Sequence, residues 1–190
     1  MLNPREVTDF WLNEVGPKGW YIADDAVDAA IRDRFLTTWE EARDGGLAGW
    51  KLRPDSMLAY LIVVDQFPRN MFRDSGDAFA TDKMARCAAK KAIEKKWDLK
   101  VAEPQRQFFY LPLMHSECLS DQERSICLFK TRMPETGESN LLHAKAHREV
   151  IRRFGRFPYR NVALARRDTD LEVAFMEQGG YSVAVQAVQG

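Results

Sequence analysis

Apolar residues return at every fourth position in Val27, Ile31, Phe35 and Trp39, the period of one face of an α-helix. Nothing of comparable length in the chain alternates residue by residue as a strand does; the longest such pattern is the tail from Tyr181 to Val188. Helix boundaries recur from end to end. Asn3-Pro4-Arg5-Glu6 sets an N-cap, a proline at the first helical position and an acid that can reach back to the cap. Ser120-Asp121-Gln122-Glu123 and Thr169-Asp170-Leu171-Glu172 read as two further capping boxes. Gly45-Gly46 closes the helix that carries Trp39, and Gly155 stops one running from Asn140 to Phe154. Pro54 opens a segment through Gln66 that is apolar all round at its centre, which predicts a buried helix. Another helix is expected from about Ala80 to Lys96, with Pro104 and Pro112 opening or kinking later ones. The expectation is an all-α fold, with 1–190 forming one compact domain.

Bulk properties narrow the function classes. Lys+Arg and Asp+Glu both number 28, so no basic excess marks a dedicated nucleic-acid surface. The longest apolar run, Met57 to Val64, is too short to span a bilayer, and Asp9 and Glu14 interrupt any leader-like N-terminus. A cytoplasmic protein is expected. The three cysteines, Cys87, Cys118 and Cys127, lack paired spacing and are read as small core residues in a reducing compartment.

Three constellations can carry chemistry. In Asp65-Gln66-Phe67-Pro68-Arg69-Asn70, Asp65 can hold Arg69 so that its guanidinium presents a rigid fork to a phosphate or carboxylate. The same residues can instead tie up backbone groups freed by Pro68. The second set is histidine. His115 shares a helical face with Leu111 and Cys118, and His143 and His147 share a stripe with Val150, Ile151 and Phe154. His115 or His147 can serve as acid–base, oriented by Glu117 or Asp65. His143 and His147 have a spacing that fits one metal and Glu117 could add an oxygen ligand, but a fourth ligand and an H-E-x-x-H pattern are missing, and no metal site or cofactor is assigned. The third set runs from Arg152 to Arg160, where Arg152, Arg153, Arg156 and Arg160 interleave with Phe154, Phe157 and Tyr159. Such a loop can hold an anion by charge and stacking, or be anchored to the core by its rings. Phe157-Pro158-Tyr159-Arg160-Asn161 also echoes Phe67-Pro68-Arg69-Asn70, as two helix breaks that each offer an Arg and an Asn. P-loop, dinucleotide-binding and G-x-S-x-G signatures are absent from the sequence.

In order along the chain, Asp65–Asn70, Tyr110-Leu111-Pro112-Leu113-Met114-His115-Ser116-Glu117 and Arg153–Asn161 form a series. Together with Phe10-Trp11 and Ala78-Phe79-Ala80-Thr81-Asp82, it resembles a bacterial family catalogued as domain of unknown function number 924. The resemblance covers nearly the whole chain. It implies a TPR-like fold of packed helical hairpins and no particular activity. The family often has His where this chain has Tyr159, and often an aromatic residue at the position of His143.

These residues support three readings. The first is a protein that binds a small anionic molecule through Asp65, Arg69, Asn70, Arg156, Arg160 and Asn161. The second is an enzyme with His115 or His147 as acid–base and Glu117 as orienter. The third is an interaction scaffold. The first predicts that the two Phe-Pro breaks line one pocket.

Overall fold

The computed structural model describes residues 2–189, and among them there is no strand. The chain divides into two compact units, Met1–Pro112 and Leu113–Gly190.

The first unit begins with α1, Pro4–Asp9, whose Asn3 and Glu6 form the expected capping box. A π-helical stretch, Phe10–Val15, carries it into the short α2, Gly16–Gly19. Helix α3, Asp25–Arg43, starts on Asp24, whose carboxylate accepts the N–H groups of Ala26 and Val27. Its Ile31, Phe35 and Trp39 are buried, as the four-residue period predicts. A 3₁₀ turn, Ala48–Leu52, leads to α4, Pro54–Leu61, which is buried all round from Met57 onward. Phe35 and Phe67 lie 4.8 Å apart and Trp11 meets Phe67 edge-on at 5.7 Å, forming the aromatic centre of this unit.

Pro68 does not break this helix, contrary to the expectation from sequence. The chain passes from α4 through a π-helical stretch, Ile62–Gln66, into α5, Phe67–Met71. In an ordinary α-helix the Val64 carbonyl would accept from residue 68, which as proline has no N–H. Here the Thr81 hydroxyl donates to that carbonyl at 2.6 Å, and the Phe67 N–H reaches back to Ile62 in the wider i→i+5 pattern. Trp39 Nε1 in turn donates to Thr81 at 3.2 Å. The chain continues through α6, Asp82–Glu94, and two 3₁₀ turns, Asp98–Lys100 and Gln105–Phe109, to α7, Leu111–Met114, within which the first unit ends.

The second unit holds α8, Leu119–Arg132, and α9, Glu138–Phe154, then the 3₁₀ turn Pro158–Arg160, α10, Asp170–Glu177, and α11, Tyr181–Gln189. Helix α9 packs on both α8 and α11. The core of the unit includes Ala146, Val150, Ile151, Phe157, Phe175 and Ala184. The Thr169 capping box forms. The Ser120 box does not: α8 starts two residues earlier, on Cys118, and the Gln122 amide turns back to donate to the carbonyls of Met114 and Ser116 at 2.7 and 2.6 Å. The tail with the alternating pattern is helical. All three cysteines are exposed rather than core residues, because each sits on an outward face or at a cap.

Gly137 caps α9 under tight constraint. A Cβ there would lie 2.5 Å from the Met133 carbonyl oxygen, whereas one at Gly155 (φ 70°) would meet nothing within 4 Å. Gly155→Ala is expected to cost about 1 kcal/mol from backbone conformation alone. Gly137→Ala is expected to cost more, about 2–3 kcal/mol, because backbone must move. Urea denaturation of the two variants checks the order, and equal costs would contradict it.

Candidate functional site

The polar centre of the second unit is assembled from α9, the Phe157–Asn161 turn and the start of α11. Gly155 takes the left-handed conformation that ends α9, so the chain reverses and Phe157 re-enters the core with no exposed surface. Its ring packs edge-on against His147 at 5.2 Å and stacks on Tyr159 at 5.3 Å, and the Arg160 guanidinium lies 4.4 Å from its centroid. Tyr181, the first residue of α11, closes the cluster at 4.9 Å from the His147 ring.

Hydrogen bonds fix the tautomers. His147 Nδ1 lies 2.8 Å from the His143 carbonyl oxygen, which can only accept, so the ring proton sits on Nδ1. The same N–H reaches the Tyr181 hydroxyl at 3.1 Å, and that hydroxyl donates to His143 Nδ1 at 2.8 Å. His147 Nε2 is left as an acceptor with no hydrogen-bond partner among the described residues. Burial pulls the His147 pKa down to about 3, with His115, Arg160 and His143 acting in the same direction, against the bond to the His143 carbonyl. The ring is therefore neutral at physiological pH. The Tyr159 hydroxyl is buried and has no hydrogen-bond partner among the described residues, and burial pushes its pKa above the ordinary phenol value.

Glu117 pins the turn from the other side. It accepts from the Phe157 N–H at 2.8 Å and from both terminal nitrogens of Arg166 at 2.8 and 3.0 Å. Burial alone would raise its pKa, but the Arg166 and Phe157 hydrogen bonds hold it below the ordinary carboxylate value. Arg160 donates to the His115 carbonyl at 3.1 Å. His115, Glu117, His147 and Arg160 thus lie in one unit, while Asp65, Arg69 and Asn70, which the binding reading also names, lie in the other.

Other expected site residues do different work. Arg156 gives its fork to Glu172, at 2.6 and 2.8 Å, and reaches the Arg167 carbonyl at 2.7 Å. The Arg156 bonds pull the Glu172 pKa down to about 2. Asn161 donates to Asp168 at 2.6 Å. In the first unit Arg69 binds the Ala78 carbonyl and pairs with Asp82 at 2.6 Å, not with Asp65. Asn70 donates to Asp28 at 2.8 Å, and buried Asp65 accepts from its neighbour Gln66. Arg69 and Arg156 therefore present no open fork: each is spent on a carboxylate of its own unit. The two Phe-Pro motifs also differ locally, since Pro68 lies within continuous helix and Pro158 begins a 3₁₀ turn after a true break.

Tyr181 and Arg166 were not singled out by sequence reasoning. Their partners lie 38 and 49 residues away, and no local pattern marks them. Among the described residues no group of three His, Cys, Asp or Glu could hold a metal, and no helix is long and apolar enough to cross a membrane.

A solved structure from Agrobacterium tumefaciens, of the protein of unknown function ATU0120, is similar to this chain with a TM-score of 0.87 and 39% identity. The match covers 93% of this chain and 97% of that one. No curated protein matches. A model described as "Bacterial protein of unknown function (DUF924)" matches residues 7–180, and the chain belongs to that family.

Proposed function

We propose that the second unit binds a small anion that also carries a hydroxyl, such as a hydroxycarboxylate, at the His147–Tyr159 centre. The observation that carries this reading is the buried Tyr159 hydroxyl left without a partner in the same aromatic cluster as a neutral His147. A buried donor without an acceptor costs about 1–3 kcal/mol, which a ligand oxygen would recover. His147 Nε2 would accept from the ligand hydroxyl, and Arg160, close enough to influence both rings, would supply a positive field. Of the anion site expected from the sequence, this reading keeps Arg160 together with His147 and adds Tyr159; Arg69 and Arg156 are spent on Asp82 and Glu172 and are left out. An acid–base role for His147 is weaker, because a base with a pKa near 3 is poorly matched to neutral pH. The packing of α8 on α9 across a short connection supports the helical-hairpin kinship. Three exposed free thiols support a reducing, cytoplasmic setting.

Tyr159→Phe tests the proposal. The variant is expected to gain about 1 kcal/mol of stability by losing the stranded hydroxyl. Titration with lactate or inorganic phosphate, monitored by the nitrogen resonances of His147, should show saturable shifts in the native chain. The variant should bind about tenfold or more weakly. No shift at His147 with either anion, or unchanged affinity in the variant, refutes the reading.

A further inference from the structure

The first unit has a groove of about 540 Å³ between α6, α4 and the Ala48–Leu52 turn. Its floor is apolar, with Met57, Tyr60, Met84 and Ala88. Its rim is cationic: Lys51, Lys83, Lys91 and Lys95 all line it, and none pairs with a carboxylate among the described residues. That is unusual in a chain with as many acids as bases, where arginines such as Arg69, Arg73, Arg152 and Arg156 are all paired. Two of the lysines are held over aromatic faces at the groove, Lys51 at 5.3 Å from the Tyr60 ring and Lys95 at 4.6 Å from Trp97. Lys83, Cys87, Lys91 and Lys95 recur every fourth residue, so they form one row about 18 Å long.

We infer that this groove binds a single-chain amphiphile with an anionic head, its alkyl chain on the Met57–Met84 floor and its head between Lys91 and Lys95. The volume lies within the ~300–1,000 Å³ typical of small-molecule sites. An apolar floor with an uncompensated cationic rim is complementary to a molecule that is itself apolar with one charged end. Neither inorganic phosphate nor a neutral alkyl chain satisfies both parts. The site is distinct from the His147–Tyr159 centre and does not depend on it.

Cys87 lines the groove and is exposed, which gives a direct readout. In the full chain, the rate of iodoacetamide alkylation at Cys87 is measured by mass spectrometry, with exposed Cys118 and Cys127 as internal references. Dodecyl phosphate below its micelle concentration should slow Cys87 about tenfold at saturation and leave the other two unchanged. Inorganic phosphate, dodecyl glucoside and dodecyltrimethylammonium should protect far less. The double variant Lys91→Gln with Lys95→Gln should need about tenfold more dodecyl phosphate for the same protection. Absent or unselective protection overturns the inference. So does equal protection by the neutral or cationic chain, or protection by a poly-glutamate peptide but not by dodecyl phosphate.

Discussion

Phe157→Ala is expected to cost the second unit about 3–5 kcal/mol, the range for deleting a fully buried aromatic side chain. The ring has no exposed surface and touches three chemically different neighbours: the His147 edge, the Tyr159 face and the Arg160 guanidinium. Its loss removes core area and also the surface that holds Tyr159 and Arg160 in place. Since whole domains are stable by only about 5–15 kcal/mol, a loss of this size is a large share of the total. Hydrogen exchange at the amides of α9 reads this unit directly and should accelerate throughout Val150–Phe154. Phe157→Leu fills most of the space and should cost about 1–3 kcal/mol. An alanine variant whose α9 protection falls by less than about 1 kcal/mol would show that the Phe-Pro turn is not an anchor.

Acid should destabilise the same unit in two stages. His147 has a folded pKa of about 3 against an unfolded value of 6.5, so the unfolded chain binds its proton first. The stability tied to its neutral form is complete above pH 6.5 and is lost as the pH falls from there toward 3. The limiting slope is about 1.4 kcal/mol per pH unit, which amounts to about 2 kcal/mol between pH 6.5 and 4.5. Glu172 works in the carboxylate sense. Its pKa is lowered from 4.5 to about 2 by Arg156, so its contribution is present above pH 4.5 and is lost below it. The window from 6.5 to 4.5 therefore isolates the histidine. Exchange protection of α9 at about pH 7, 6 and 5 should fall in the native chain, and His147→Asn should flatten that fall. A native chain equally protected at both ends of that range would mean that His147 is protonated inside the fold.

The features legible in the sequence are those written by short-range chemistry. Asn3 and Thr169 cap their helices because their partners lie three residues on, and the Ile31–Trp39 face results from helical period alone. The histidine centre was half legible. His147 and Arg160 could be named, but Tyr181 and Arg166 join them only through long-range folding. The arginines misled for a physical reason: residue type shows that a guanidinium fork exists, not which acid occupies it. Asp82 and Glu172 take Arg69 and Arg156, and neither pairing obeys a helical spacing rule. The capping box at Ser120 failed because α8 already starts on Cys118, which puts Ser120 inside the first turn rather than at its cap.

The π-helical stretch Ile62–Gln66 has a consequence for how this chain can drift in length. An i→i+5 closure stores one residue beyond what a straight helix needs. Excising that surplus residue would restore an α-helical ladder and leave α4 and α5 on the same helical faces. Met57, Leu58 and Tyr60 would keep their buried face. The Val64 carbonyl would move away from the Thr81 hydroxyl while Pro68 still had no proton to offer it. The surplus residue is thus what lets a proline sit inside continuous helix, and its loss would cost the Val64 carbonyl its partner rather than the helical faces their register.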